Sequence, residues 1–359
     1  MTSNSPPPNA PAPTDVLLGL ALQPIDDDPE ATHAVLDAAR GVELGRGSRA
    51  ACELIRLGAL ERRYGVPLAS AALPTLGGAQ VWRDETVYCG YRIQRLFSGK
   101  ASFRLLDASD RLLVRGTFEA CRVALERQRL DLRLTPRGPH GVVMLHGLFR
   151  TRRSMLPLRR RLEAAGFETI PVDYPSTRGT LEEHAAQVER VLCELRGVET
   201  VSFVTHSMGG LVARCVLGRH DAGRDWRARL TLGRLLMLFP PNNGSQRADF
   251  WRRFKWLAPL TGSSTRDLGT AHASLVPIPE VRLGIIAGGR GGERGRSRWI
   301  EGDNDGTVSV AEAWLPGAEE FRILDVGHTA GLKDERVLDA AIGYLSTGSM
   351  VEALAKWTE

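Results

Sequence analysis

Ser207 lies in the run Thr205-His206-Ser207-Met208-Gly209-Gly210, between the strand-forming stretch Val201-Ser202-Phe203-Val204 and an apolar-periodic stretch over residues 211–217. The pattern predicts a strand, a sharp corner and a helix. A serine at such a corner exposes its Oγ, and the first amides of the helix point at whatever it attacks. Two later segments carry the partners that a serine nucleophile needs. Glu301-Gly302-Asp303-Asn304-Asp305-Gly306-Thr307-Val308 follows a strand candidate at 281–287, and Gly327-His328-Thr329 follows another at 321–326. Serine, acid, histidine is the chain order that a parallel sheet with a strand-corner-helix nucleophile requires. A fourth segment, His146-Gly147-Leu148-Phe149, follows the apolar run 141–145. Gly147 permits a tight bend there, so the amides of Leu148 and Met208 can converge on one point and hold an oxyanion.

Each part alone has a plainer reading. A single histidine is most often a satisfied core or surface residue, and an Asp-Asn-Asp-Gly run is usually a turn. Asp303 and Asp305 also occupy the first and third positions of an EF-hand-like start, but the twelfth position is Trp314 rather than glutamate. Calcium is therefore not expected. His184 and His206 have no metal-ligand partner at usable spacing, and His206 is expected to pack or hydrogen-bond within the corner. Asp303 is expected to order the loop through side-chain to backbone hydrogen bonds.

The elements that must position these residues alternate between strand and helix from about residue 130 onward. Residues 130–134 alternate like an edge strand, 141–145 read as a strand buried on both faces, 154–165 as a helix and 167–172 as a strand. Thr180-Leu181-Glu182-Glu183 is a capping box opening a helix that Gly197 stops. Strands at 234–239, 281–287 and 321–326 complete a doubly wound, mostly parallel sheet with helices on both faces. Ligands bind beyond the carboxyl ends of such strands, where the four segments above fall.

The segment between 239 and 281, roughly 40 residues, far exceeds an ordinary connection. Ser245 can cap a helix over 246–257 with Phe250, Trp251, Phe254 and Leu257 on one stripe. Two readings compete: a surface helix packed on the sheet, or a lid-like insertion, about 240–280, in which Trp251 and Phe254 line an acyl pocket.

The first 136 residues read differently. Residues 1–14 are rich in Pro, Ser and Asn and are expected to be a disordered leader. Residues 15–136 are expected to form a small α+β domain of unknown role. In it 29–40 and 48–57 have helical spacing, 91–97, 101–106 and 111–115 are strands joined by hairpins, and Thr117 caps a helix to about Arg129. Residues 348–359 are expected to be a tail.

The chain has 359 residues, 47 basic against 42 acidic, with arginines scattered among acids rather than gathered. That distribution argues against a nucleic-acid surface. Arginine patches at 150–153 and 159–161 read as solvated faces, with phosphate or membrane contact as the rival reading. Five cysteines without Cys-x-x-Cys spacing suggest buried thiols in a reducing, cytoplasmic compartment. Residues 16–22 are too short for an export signal, and no run approaches the roughly 20 apolar residues of a membrane span.

From about residue 141 to 347 the chain resembles the α/β-hydrolase superfamily, and specifically its bacterial lipase and esterase branch. The likeness rests on His146-Gly147-Leu148, on His206-Ser207-Met208-Gly209-Gly210, and on residues 173–178, 240–245 and 303–308. It implies an α/β-hydrolase fold and a triad of Ser207, Asp305 and His328, with Leu148 and Met208 as oxyanion donors and no cofactor or metal. The implied activity is hydrolysis of a small-molecule or lipid carboxylic ester through an acyl-enzyme. A thioesterase or acyltransferase would use the same residues, and a non-catalytic binding protein could use the same frame. Nucleic acid is not an expected partner; peripheral membrane contact and oligomeric state stay open. The family's first corner glycine is replaced here by Thr205, a mild strain at a position close to the helix.

Overall fold

The computed structural model describes residues 15–25, 31–64, 73–74, 80–99, 101–218, 226–244, 273 and 275–357. The expected leader and the expected helix bearing Trp251 and Phe254 lie outside the described residues.

The chain begins with two antiparallel sheets. The first contains β1 (Asp15–Leu17), β2 (Leu20–Pro24), β3 (His33–Asp37) and β4 (Val42–Gly47) in that order, followed by helix α1 (Arg49–Tyr64). The second contains β5 (Leu73–Pro74), β6 (Trp82–Tyr88), β7 (Tyr91–Leu96), β8 (Phe103–Leu106) and β9 (Arg111–Gly116), in the order β5-β9-β8-β7-β6. Helix α2 (Phe118–Asp131) follows, its first turn capped by the Thr117 side chain, which accepts from the Ala120 amide.

Two expectations fail in this region. Residues 33–37 form a strand rather than part of a helix, because pairing with β2 and β4 on either side outweighs the helical preference of Ala34 and Leu36. Residues 130–134 form no strand: α2 runs through Asp131, and the Leu132 amide closes it on the carbonyls of Gln128 and Leu130.

The remainder is built on a six-stranded parallel sheet. Its strands are β10 (His140–Leu145), β11 (Glu168–Val172), β12 (Thr200–His206), β13 (Thr231–Leu238), β14 (Arg282–Gly288) and β15 (Glu320–Leu324), in the order β11-β10-β12-β13-β14-β15. The helices are α3 (Leu156–Ala164), α4 (Leu181–Glu194), α5 (Met208–Gly218), α6 (Trp226–Arg229), α7 (Val310–Ala313), α8 (Glu335–Thr347) and α9 (Val351–Ala355). The 348–359 stretch is thus not a bare tail: Met350 is buried in the core, and α9 follows it.

Successive residues on a strand point to opposite faces, so a sheet covered on both sides needs strands that are apolar throughout. Val143, Leu145, Phe203, Leu235 and Ile285 face one core with Val188, Leu192 and Leu211 of α4 and α5. Val142, Met144, Val204, Leu236 and Ile286 face the other with Leu158, Leu162, Val337 and Tyr344 of α3 and α8. Parallel register brings Leu145 opposite Thr205, His206 opposite Leu238, and Gly288 opposite Leu324. All the segments with chemistry therefore leave the sheet along one edge. No helix among the described residues is long and apolar enough to cross a membrane.

Candidate active site

Ser207 sits between β12 and α5 with φ +54°, a left-handed conformation that a non-glycine residue adopts only when its surroundings hold it. The hold is visible: the Ser207 amide donates to the Leu238 carbonyl at 2.9 Å, and the Gly210 amide donates to the Ser207 carbonyl at 2.9 Å. Close approach of helix to sheet is carried by Gly209, where a Cβ would lie 2.4 Å from the Leu145 carbonyl oxygen. Thr205 is fully buried, its Oγ1 3.5 Å from the Leu236 carbonyl oxygen. The glycines after the serine bear the tight packing, which leaves room for the Thr205 side chain.

Asp305 and His328 meet at the same edge of the sheet. His328 Nδ1 lies 2.7 Å from Asp305 Oδ2, and the Asp305 Oδ1 accepts the amides of Thr307 and Val308, both at 2.8 Å. The His328 amide also donates to the Asp305 carbonyl at 3.0 Å. Asp305 is nearly fully buried, and His328 is partly open to solvent. Every Asp305 oxygen is thus occupied, which fixes the carboxylate and leaves the histidine Nε2 unengaged by it. Gly288 makes the fit feasible, because a Cβ there would lie 2.6 Å from Asp305 Cβ.

Asp303 does a different job. Its carboxylate accepts the amides of Arg290 and Gly291 at 2.8 Å each, tying the loop after β14 to the acid loop. Among the described residues, no group of acids, histidines and cysteines could hold a metal ion.

The segment with Leu148 lies against Ser207. A Cβ on Gly147 would sit 3.0 Å from Ser207 Cβ and 2.9 Å from His206 Nδ1. Phe149, at φ +58°, turns the chain sharply, and the Arg150 amide closes the bend on the Gly147 carbonyl at 3.2 Å. Leu148 is half-buried and Met208 is buried at the first position of α5. Ser207, His328, Asp305 and the Leu148 segment therefore share one neighbourhood, while Trp251 and Phe254 lie outside the described residues.

Three residues matter more than sequence reasoning suggested. His206 does not stop at the corner: its Nε2 donates to the His328 carbonyl at 3.0 Å, and the two rings lie 4.9 Å apart. Burial first, and the neighbouring His328 second, hold it well below the ordinary histidine range. It links the corner to the histidine loop as a neutral donor. Asn304, fully buried, donates to the carbonyls of Ser297, Ile300 and Gly302 and accepts the amides of Ser297 and Gly306. It sets the loop that presents Asp305; only its place in the Asp-Asn-Asp-Gly run hinted at this.

His146, also fully buried, is lowered by burial, with Asp173 acting against that shift. Its ring stacks on Tyr174 at 4.2 Å, and its Nδ1 donates to the Gly147 carbonyl at 3.0 Å. Tyr174 returns a hydroxyl hydrogen bond to the His146 carbonyl. Burial likewise pushes His184, which leans on Tyr174, down to about 3.

Residues 142–340 match the family model described as the alpha/beta hydrolase family. No curated protein matches the chain. Among solved structures, the chain is similar to a lipase of Bacillus licheniformis in mature form, at 21% identity and TM-score 0.45, over 55% of this chain and 88% of that one. It is similar to a metagenomic carboxyl esterase at 19% identity and TM-score 0.42, over 61% and 75%. A phospholipase of Legionella pneumophila aligns at 17% identity and TM-score 0.47, over 61% and 62%. The family model spans more than half of the sequence and agrees with the parallel sheet and its helices on both faces, so the chain belongs to the alpha/beta hydrolase family.

Proposed function

We propose that the protein is a serine-dependent carboxylic ester hydrolase in which Ser207 is the nucleophile, His328 the general base and Asp305 its orienting acid. The observation that supports this best is the 2.7 Å contact of His328 Nδ1 with Asp305, on a loop that the elbow residue His206 grips from the Ser207 side. Ser207 Oγ attacks the ester carbonyl as its proton passes to His328 Nε2, and Asp305 stabilises the imidazolium so formed. The tetrahedral oxyanion is held by the amides of Leu148 and Met208. The intermediate collapses to an acyl-enzyme, and the alcohol leaves with the proton from His328. Water, deprotonated by His328, then releases the carboxylic acid and restores Ser207. The chemistry runs on side chains and amides alone, and the substrate class is a small-molecule or lipid ester.

The test is a panel of p-nitrophenyl acetate, butyrate, octanoate and palmitate, together with labelling by a fluorophosphonate probe, for wild type and Ser207→Ala. The variant should lose up to ~10⁶ in kcat and all labelling, with its thermal midpoint nearly unchanged. More than about a tenth of wild-type turnover in Ser207→Ala would remove Ser207 from the nucleophile role.

A further inference from the structure

The second antiparallel sheet, β5–β9, here the front sheet, meets the loops beside the candidate site through polar groups. In the six-stranded sheet β11 is an edge strand, and its free edge beyond Val172 is met by the start of β6. There the Asp84 amide donates to the Asp173 carbonyl at 3.0 Å, and the Asp173 amide donates to Asp84 Oδ2 at 2.7 Å. Asp84 is fully buried, and its remaining capacity is met by Arg92 at 2.7 Å and Gln94 at 2.8 Å. This reciprocal clasp covers an edge that would otherwise stay unpaired.

From Asp173 the chain of contacts leads to the Leu148 segment. Asp173 Oδ1 accepts the Arg152 amide at 2.8 Å, so its carboxylate holds the far end of residues 146–152. The Arg152 guanidinium pairs with Asp173 and with Asp110, the latter in the turn between β8 and β9. A second arm reaches the middle of the segment. Gln80, just before β6 and half-buried, donates from Nε2 to the Arg150 carbonyl at 3.1 Å and to Ser176 Oγ at 3.0 Å. Its Oε1 accepts the Thr177 amide at 3.0 Å and the Thr177 hydroxyl at 2.9 Å. One side chain joins the loop after β10 to the loop after β11.

We propose that the front sheet is a positioning element for the Leu148 amide, with Gln80 and Asp84 as its positioning residues. Neither touches substrate; they act through Arg150 and Asp173 on a short segment whose second half, Arg150 and Arg152, is fixed from that side. The inference rests on the oxyanion role given to Leu148 above. Donors aimed at an oxyanion work because they are fixed before the reaction, so a loosened segment loses rate at the chemical step and not in substrate binding.

The experiment compares wild type, Gln80→Ala, Gln80→Glu, Asp84→Asn and Ser207→Ala on p-nitrophenyl butyrate, with fluorophosphonate labelling rates and thermal midpoints. Gln80 is half-buried, so its variants test the proposal even where Asp84→Asn does not fold. Gln80→Ala should lose about 10-fold or more in kcat, a part of the 10²–10³ that removal of an oxyanion donor costs. KM and the thermal midpoint should stay close to wild type, and the labelling rate should fall in step with kcat. Gln80→Glu keeps the acceptor for Thr177 but cannot donate to Arg150, so it should be as damaged as Gln80→Ala. Turnover within about twofold of wild type in Gln80→Ala, or a loss appearing in KM or thermal stability instead of kcat, overturns the proposal. If Ser207→Ala is inactive while Gln80→Ala is normal, only the positioning role falls; if Ser207→Ala stays active, the hydrolase reading falls and takes this one with it.

Discussion

Two aspartates two positions apart share one loop, and their hydrogen bonds separate their roles. Asp305 offers one oxygen to His328 and the other to the Thr307 and Val308 amides, whereas Asp303 spends its carboxylate on the Arg290 and Gly291 amides. Asp305→Asn would turn an amide donor toward His328 Nδ1 and favour the wrong tautomer, and kcat should fall by up to roughly 10⁴. Asp303→Asn retains one acceptor oxygen and should cost stability more than rate. Steady-state kinetics and thermal midpoints of the two variants decide the matter; a greater loss of kcat in Asp303→Asn would reverse the assignment. The sequence pointed to Asp305 because its place before Gly306-Thr307-Val308 resembles the family's acid position. The reach of His206 to the His328 carbonyl was not, because it joins residues 122 apart and leaves no local pattern.

At the scale of elements, the corner shows which glycine bears the packing. Alanine is favoured over glycine in a helix by about 1 kcal/mol, so propensity alone would make Gly209→Ala stabilising. Against that stands a Cβ 2.4 Å from the Leu145 carbonyl oxygen and 2.9 Å from its carbon, both backbone atoms of β10 that cannot swing aside. The clash should win, and Gly209→Ala should lower the unfolding free energy by roughly 1–3 kcal/mol in urea denaturation. An unchanged or raised midpoint would mean that α5 shifts away from β10 without cost. The parallel strands were legible because burial on both faces leaves long apolar runs, as at Val142 to Leu145. Short elements were less so. His33–Asp37 carries helix-forming residues yet pairs on both sides, and the alternation of Leu130, Leu132 and Leu134 belongs to a helix end and not to a strand. In stretches of five residues the two periods are hard to tell apart, and tertiary pairing decides.

At the scale of the whole molecule, the front sheet reads from sequence as a separate unit, because its contact surface is made of residues that usually face water. Asp84, Arg92, Gln94 and Arg104 are all buried, joined in a series that runs from Arg104 through Gln94 and Asp84 to the Asp173 amide. Nothing local in the chain marks four such residues as interior. Their burial has an energetic consequence, since a carboxylate out of water is tolerable only while its partner stays. Arg92→Leu would leave Asp84 without its cation at 2.7 Å and should destabilise by about 3–5 kcal/mol. Removing both charges, in Asp84→Leu with Arg92→Leu, should cost less than Arg92→Leu alone, because no uncompensated ion remains. Because the clasp ties β6 to the segment after β11, protection of β6–β9 amides and of β12 amides from hydrogen exchange should be lost together as urea rises. Mass spectrometry of the two sets of peptides reads this directly. Early loss of protection in β6–β9, with β12 still protected in the wild type, would show that the front sheet opens on its own and that the buried ion network does not bind the two parts into one cooperative structure.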